Sequence, residues 1–260
     1  MEEPAERAVE RAIGYMRANL GEQITIDDLA RAAMFSKFYF TRLFQRVTGM
    51  SPGRFLSAVR IQRAKDLLLA TSMTVTEVSY RVGYNSMGTF SSRFRESVGV
   101  SPTAYRQQSG VLVDLPGEVG VGQVDLRAAT VRGRILTAWA GQVGSVFVGL
   151  FPSRLPHGEP IRWTVRPQPG LFLLDNVPPG RCYLVADALA TGPGGSARYL
   201  AEPDSYVAAQ GPIVVRRDTD IRLADLWLRP STVFDPPLLL ARLAERSVPV
   251  AVAEGIKFAA

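Results

Sequence analysis

The sequence predicts two consecutive domains of different class: an all-α double helix-turn-helix domain over residues 1–108, then an antiparallel β-sandwich over 123–260 with a short C-terminal helix. Three observations predict this. The first half carries an internal repeat with a period of about 50 residues, its apolar residues recur at helical spacing, and beyond Gln108 the chain changes to short β-branched runs separated by Pro and Gly turns. The joint is residues 109–122, SGVLVDLPGEVGVG, whose glycines predict a β-domain that moves relative to the helices. At 260 residues the chain is long for one core and comfortable for two, since domains most often run to roughly 100 to 150 residues.

The first element is a helix whose apolar face is Val9, Ala12, Ile13, Met16 and Leu20, closed by Gly21. The first repeat copy follows, ITIDDLARAAMFSKFYFTRLFQRVTGMSPGRF, and the second is MTVTEVSYRVGYNSMGTFSSRFRESVGVSPTAY. Thr25 pairs with Thr74 and Phe35 with Tyr84. After one extra residue in the second turn, Phe40 pairs with Phe90, Phe44 with Phe94, Gly49 with Gly99, and Ser51-Pro52 with Ser101-Pro102. Each copy opens on a helix start, Thr25 with Asp28 and Thr74 with Glu77, where hydroxyl and acid can each satisfy an orphan backbone N–H. A short turn then leads to a second helix, begun by Ser36 or Ser86 and ended by Gly49 or Gly99. Between the copies, Pro52 begins a longer helix to about Leu69, with Phe55, Leu56, Val59, Ala64, Leu67 and Leu68 as its stripe, which would hold the two units at a fixed separation.

Candidate strands follow at Thr130–Thr137, Ser145–Phe151, Ile161–Val165, Leu171–Leu174, Arg181–Asp187, Pro212–Arg216 and Asp220–Trp227, with a last helix at Leu238–Arg246.

Charge is unevenly spread. Residues 1–108 hold 15 Lys/Arg against 10 Asp/Glu, and four of those acids, Glu2, Glu3, Glu6 and Glu10, lie in the opening segment; residues 109–260 hold 15 against 14. A basic domain beside a neutral one is the electrostatic footprint of a polyanion binder. The single cysteine, Cys182, excludes a disulfide framework and a multi-cysteine metal site. The acidic, helical start is not a secretory signal, and no stretch approaches the roughly 20 apolar residues that span a bilayer, so the cytoplasm is the expected compartment and no membrane partner is expected.

If each second helix is a recognition helix, its two faces should differ. On a wheel of about 100° per residue, Phe40, Leu43, Phe44 and Val47 cluster on one side, while Phe38, Arg42 and Gln45 point opposite with Thr41 flanking. Arg can grip guanine bidentately and Gln can do the same for adenine, which suits a helix in the major groove of double-stranded DNA. Lys37, at the helix start, suits a phosphate contact. In the second copy Phe90 and Phe94 face the core, and Gly88, Ser92 and Arg95 face away with Thr89 and Ser91 alongside. These small residues imply weaker base readout, with Arg95 on phosphate. Any helical bundle presents polar outer faces. A bundle has no need, however, for two such units joined by one helix in a basic domain.

The region from Thr25 to Arg106 resembles the DNA-binding domain of AraC/XylS-type transcription regulators. The residues that carry the likeness include Leu29-Ala30, Ser36, Phe40-Thr41-Arg42-Leu43-Phe44, Arg60, Val82-Gly83-Tyr84, Phe90-Ser91, Phe94-Arg95, Gly99-Val100-Ser101-Pro102 and Tyr105-Arg106. The resemblance implies seven helices and two recognition helices, near 37–48 and 87–98, in successive major grooves. It also implies base contacts at Phe38, Thr41 and Arg42, then at Gly88, Thr89 and Ser92. Two departures matter. Family members often carry Arg where Ser92 stands, and most place this domain at the C-terminus rather than leading the chain. Residues 131–186, with VRGRI, VFVGLFP and PGLFLLDNVPPGRCYLVADAL, are similar to carboxypeptidase-regulatory-like, transthyretin-type β-sandwich domains, which mostly mediate packing or association.

The β-half singles out no catalytic residue, metal ligand or cofactor. Cys182 alternates with Leu184 and Ala186 on one strand face and reads as a packed core thiol. His157 sits in a Pro-Gly loop, Trp139, Trp163 and Trp227 read as buried sandwich aromatics, and Asp218 and Asp220 flank a turn. Transthyretin-like folds include a ureide hydrolase, but that activity needs several histidines and this chain has one. The expected function is a sequence-specific regulator whose β-domain dimerises or senses a small-molecule effector. The alternative is a constitutive DNA binder whose β-domain contacts another protein, such as RNA polymerase.

Overall fold

A computed structural model describes residues 2–112, 129–138, 143–156, 158–190, 205–240 and 242–243. Seven helices lie among them: α1 (Glu2–Ala18), α2 (Ile26–Ala33), α3 (Lys37–Thr48), α4 (Pro52–Ala70), α5 (Val75–Arg81), α6 (Met87–Val98) and α7 (Pro102–Gln107). Their starts are chemical. At α2 and α5 the hydroxyls of Thr25 and Thr74 accept from the Asp28 and Glu77 backbone N–H, and the two carboxylates accept in return from the Thr25 and Thr74 N–H at 2.8 and 2.7 Å. Pro52 and Pro102 begin α4 and α7. Gly49 and Gly99 end α3 and α6 in the left-handed region, where the absent Cβ removes the penalty.

The core repeats as the sequence does. Phe40 stacks edge-on against Phe44 and Phe44 against Phe55; in the second copy Phe90 packs on Phe94 and Phe94 on Tyr105, all at centroid distances of 5.4 to 5.6 Å. Helix α4 runs between the units and is buried on several sides, from Pro52 and Phe55 through Ile61 and Ala64 to Leu67 and Leu68. Arginines tie the units together at backbone carbonyls. Arg11 donates to Ala33 O at the end of α2, Arg60 to Glu22 O, and Arg106 to Leu68 O and Met73 O.

The β-region contains β1 (Val111–Leu112), β2 (Ala129–Thr137), β3 (Val143–Phe151), β4 (Arg162–Arg166), β5 (Leu171–Val177), β6 (Gly180–Ala190), β7 (Ser205–Val215), β8 (Asp220–Arg222), β9 (Leu226–Pro230) and β10 (Arg242–Leu243). The main sheet runs β4-β3-β6-β7-β9-β2-β5, with β8 on β2, and its end strands β4 and β5 lie close enough to make it nearly closed around one apolar interior. Every predicted strand is present, but among the described residues the antiparallel rule has two exceptions in the main sheet, where β2 runs parallel to β8 and to β9. The predicted Asp220–Trp227 strand is broken in two between Arg222 and Leu226, and both pieces pair with β2.

The predicted C-terminal helix is corrected. Leu238–Leu240 is not helical; Leu239 and Leu240 are buried in an irregular segment whose Leu238 and Leu240 carbonyls accept from Lys65 Nζ of α4, and Arg242–Leu243 then pairs with Val111–Leu112 in parallel. Apolar spacing suggested a helix, but burial beside α4 takes these residues as a strap; residues 244–246 lie outside the described ones. Trp227 is also corrected. It is 60% exposed on β9, whereas Trp163 is buried, and Trp139 and His157 lie outside the described residues. Cys182 is the buried thiol expected, and burial raises its pKa.

The expected mobility of the β-domain meets a second finding. Leu155, Trp163 and Leu239 are buried in the same apolar cluster as the helices, with Phe147 and Val165 packed against it. Residues 113–122 of the joint lie outside the described residues. Among the described residues no helix is long and apolar enough to cross a membrane.

Candidate nucleic-acid interface

Each second helix presents its polar face to solvent because its phenylalanines are committed to the core. On α3, Phe40, Leu43 and Phe44 are buried, while Lys37, Phe38, Arg42 and Gln45 are exposed and Thr41 is half-buried. On α6, Phe90 and Phe94 are buried, and Gly88, Thr89, Ser92 and Arg95 are exposed. The structure thus places all nine candidate residues on the outward sides of these two helices.

The two faces differ in substance. Phe38 is 83% exposed, an unusual setting for a large apolar ring, and Arg42 extends beside it with no ion pair among the described residues. Thr41 turns its hydroxyl back to Lys37 O at 2.9 Å. Lys37 lies 3.1 Å from Asp27, both side chains being largely exposed, so the pair is weak and readily exchanged for another anion. Ser36 makes no side-chain cap bond, leaving the first N–H groups of α3 without that acceptor. Ser86, by contrast, accepts from Thr89 N–H at 3.4 Å. Arg93 pairs at 3.5 Å with Glu96, in the last turn of α6.

Sequence reasoning missed three features. Met34 (79% exposed), Phe35 and Tyr39 extend the apolar surface around Phe38, and the Phe35 and Tyr39 rings lie 4.7 Å apart. The available signal was the apolar pair Met34-Phe35 in a turn where the second copy has Gly83-Tyr84. Second, Gln23 Nε2 donates to Asn85 Oδ1 at 3.0 Å, joining the connections that precede α2 and α6. Third, Arg60 is a strut: half-buried, it sits 6.0 Å from the Tyr84 ring centroid, and burial lowers its pKa. Its place among the residues that carry the family likeness marked Arg60, but not this packing role. Among the described residues no group of His, Cys, Asp and Glu is arranged to hold a metal ion.

Comparison with known proteins falls on this half of the chain. Residues 29–108 match the family model described as "Helix-turn-helix domain". The HTH-type transcriptional regulator GbdR of Pseudomonas aeruginosa is 35% identical over 118 residues, 44% of this chain and 32% of that protein. The transposon Tn10 TetD protein of Escherichia coli is 32% identical over 93 residues, covering 36% of this chain and 67% of TetD. Among solved structures, a probable AraC family transcriptional regulator from Rhodopseudomonas palustris is 33% identical, covering 40% of this chain and 97% of that one with a TM-score of 0.37. The matched stretch spans between 32% and 39% of the length of GbdR and several Bacillus subtilis regulators. The N-terminal region is thus a helix-turn-helix DNA-binding domain of the AraC type.

Proposed function

We propose that the protein is a sequence-specific transcription regulator that reads double-stranded DNA with α3 and α6 in two successive major grooves. The observation that carries this is the duplicated outward face, two second helices offering polar and apolar readers on one scaffold whose α4 is shared. Arg42 and Gln45 read purine edges, Phe38 and Thr41 supply apolar contact, and Lys37 holds phosphate beside the uncapped start of α3. Gly88, Thr89 and Ser92 let α6 approach its groove closely and read little, while Arg95 contacts phosphate. The domain division proposed is 1–108 for DNA, 109–122 as joint and 123–260 as a transthyretin-type β-sandwich with a regulatory role.

Binding-site selection with the full chain at fixed salt tests this. Two enriched blocks about 10 base pairs apart, the one read by α3 more sharply defined, are expected. Retention of all sequences alike, abolished by salt, would remove the specific reading.

A further inference from the structure

We infer that the β-domain is a positioning part of the DNA-reading machinery: the segment joining β3 to β4 caps the C-terminal ends of both α3 and α6, and so sets how the two recognition helices stand relative to each other. This rests on the reading above. The first contact is at Gly49, the left-handed end of α3, where a Cβ would lie 2.4 Å from Arg154 Cζ. The guanidinium therefore lies against the end of the helix whose free carbonyls carry partial negative charge. The second is at the last turn of α6, where Gly158 N–H donates to Ser97 O at 3.1 Å, satisfying a carbonyl that has no partner within the helix.

Between these points Leu155 is buried, 7% exposed, in the core of the helical domain. Arg154 and Gly158 stand only four residue steps apart, at most about 14 Å of backbone, so the contacts to the two helix ends come from points close together in the chain. The seat is reinforced on both sides. Trp163 of β4, 6% exposed and stacked on Phe147, enters the same core, and Lys65 of α4 holds the Leu238 and Leu240 carbonyls. Most of the readers, Phe38, Thr41, Arg42, Gly88, Thr89 and Ser92, sit in the N-terminal halves of α3 and α6, with Gln45 and Arg95 one turn or less beyond, so the strap acts on the angle of the helices from their far ends.

The test uses the full chain. Spin labels at Arg46→Cys and Arg93→Cys, in a Cys182→Ala background, report the separation of α3 and α6 without DNA. Leu155→Asp drives the strap from its seat. Gly158→Ala does so more gently, because its Cβ would lie 3.0 Å from Glu96 O at a φ of +69°. Both variants are expected to broaden the distance distribution. On a duplex from the selection, and on versions with its two blocks moved apart by one or two base pairs, the parent should discriminate about tenfold and the variants several-fold less, with affinity for one block alone unchanged. An unchanged distribution in Gly158→Ala and Leu155→Asp, or unchanged spacing preference, overturns the inference and leaves α4 as the sole spacer. If Leu155→Asp loses its helical circular dichroism, Gly158→Ala decides. Failure of the selection to yield any site refutes the DNA reading, while the distance measurement still judges the strap.

Discussion

The two helix-turn-helix units share a skeleton and differ where it is exposed to different neighbours. Both have the reciprocal cap, the phenylalanine pair, the closing glycine and the Ser-Pro that follows. They part at the turn. In the first unit Met34 takes the left-handed conformation at φ 62° and points into solvent; in the second the equivalent residue is Gly83, at φ 84°, where a Cβ would lie 2.2 Å from Leu20 O and 2.6 Å from Arg60. The first turn leaves Met34 in solvent, whereas the second is packed against the start of the α1–α2 connection at Leu20. One conformation is thus tolerated for a side chain in open space and requires glycine where backbone closes on it. The outward faces repeat the lesson: large readers on α3, small ones on α6.

The sharpest way to break this comparison is Gly83→Ala. Left-handed strain of about 1 to 2 kcal/mol adds to a collision with backbone that cannot swing away, so a loss of about 2 to 4 kcal/mol is expected in urea unfolding of the full chain. A loss below about 1 kcal/mol would show that the second turn is as open as the first.

Next in size is the contrast in readout. Arg42→Ala should cost roughly 1 to 3 kcal/mol at one base pair, and Lys37→Ala should weaken all sequences and lower the salt slope by about one. Ser92→Ala should leave base preferences nearly unaltered. Equal losses of specificity from Arg42→Ala and Ser92→Ala would erase the distinction between the units.

The caps sharpen the likeness rather than the difference. Thr25→Ala and Thr74→Ala should each cost about 1 kcal/mol. The Asp28 carboxyl is held below its ordinary pKa by the Thr25 hydroxyl and N–H, and that of Glu77 by the Thr74 N–H and hydroxyl. Folded pKa values below the unfolded ones mean that this stabilisation is present at neutral pH and is lost as pH falls through and below the ordinary carboxylate range. Thermal scans between neutral and acid pH should therefore show a smaller acid sensitivity in the Thr25→Ala, Thr74→Ala double variant than in the parent.

The smallest effect is Met34→Gly. Relief of left-handed strain is partly offset by the extra freedom of the unfolded chain, leaving a gain of about 0.5 kcal/mol. A destabilised Met34→Gly would mean that the Met34 side chain makes a contact worth more than its strain.

Most of the helical domain was legible because its determinants are local. Thr25 and Asp28 are three residues apart, Phe40 and Phe44 four, and Gly49 acts on the helix it ends, so the signals lie within one or two turns of sequence. The outward placement of Phe38, Arg42, Gln45, Gly88, Thr89 and Ser92 follows from the same period once Phe40, Phe44, Phe90 and Phe94 are assigned to the core. The strands, too, announced themselves through β-branched runs and turn residues. Their partners did not.

What the sequence by itself determined is therefore the list of elements, the duplication and the two faces of each recognition helix. Only the tertiary structure decided that β2 runs parallel to β8 and β9, that Trp227 faces solvent while Trp163 enters the helical core, and that Leu238–Leu240 lies as a strap under Lys65. It alone decided that Arg154 and Gly158 meet the ends of α3 and α6, about 60 to 105 residues away in sequence. The physical reason is that a helix is specified by bonds and contacts a few residues apart. A pairing or a docking instead depends on which apolar surfaces remain uncovered once the local elements have formed, and no single segment encodes that remainder.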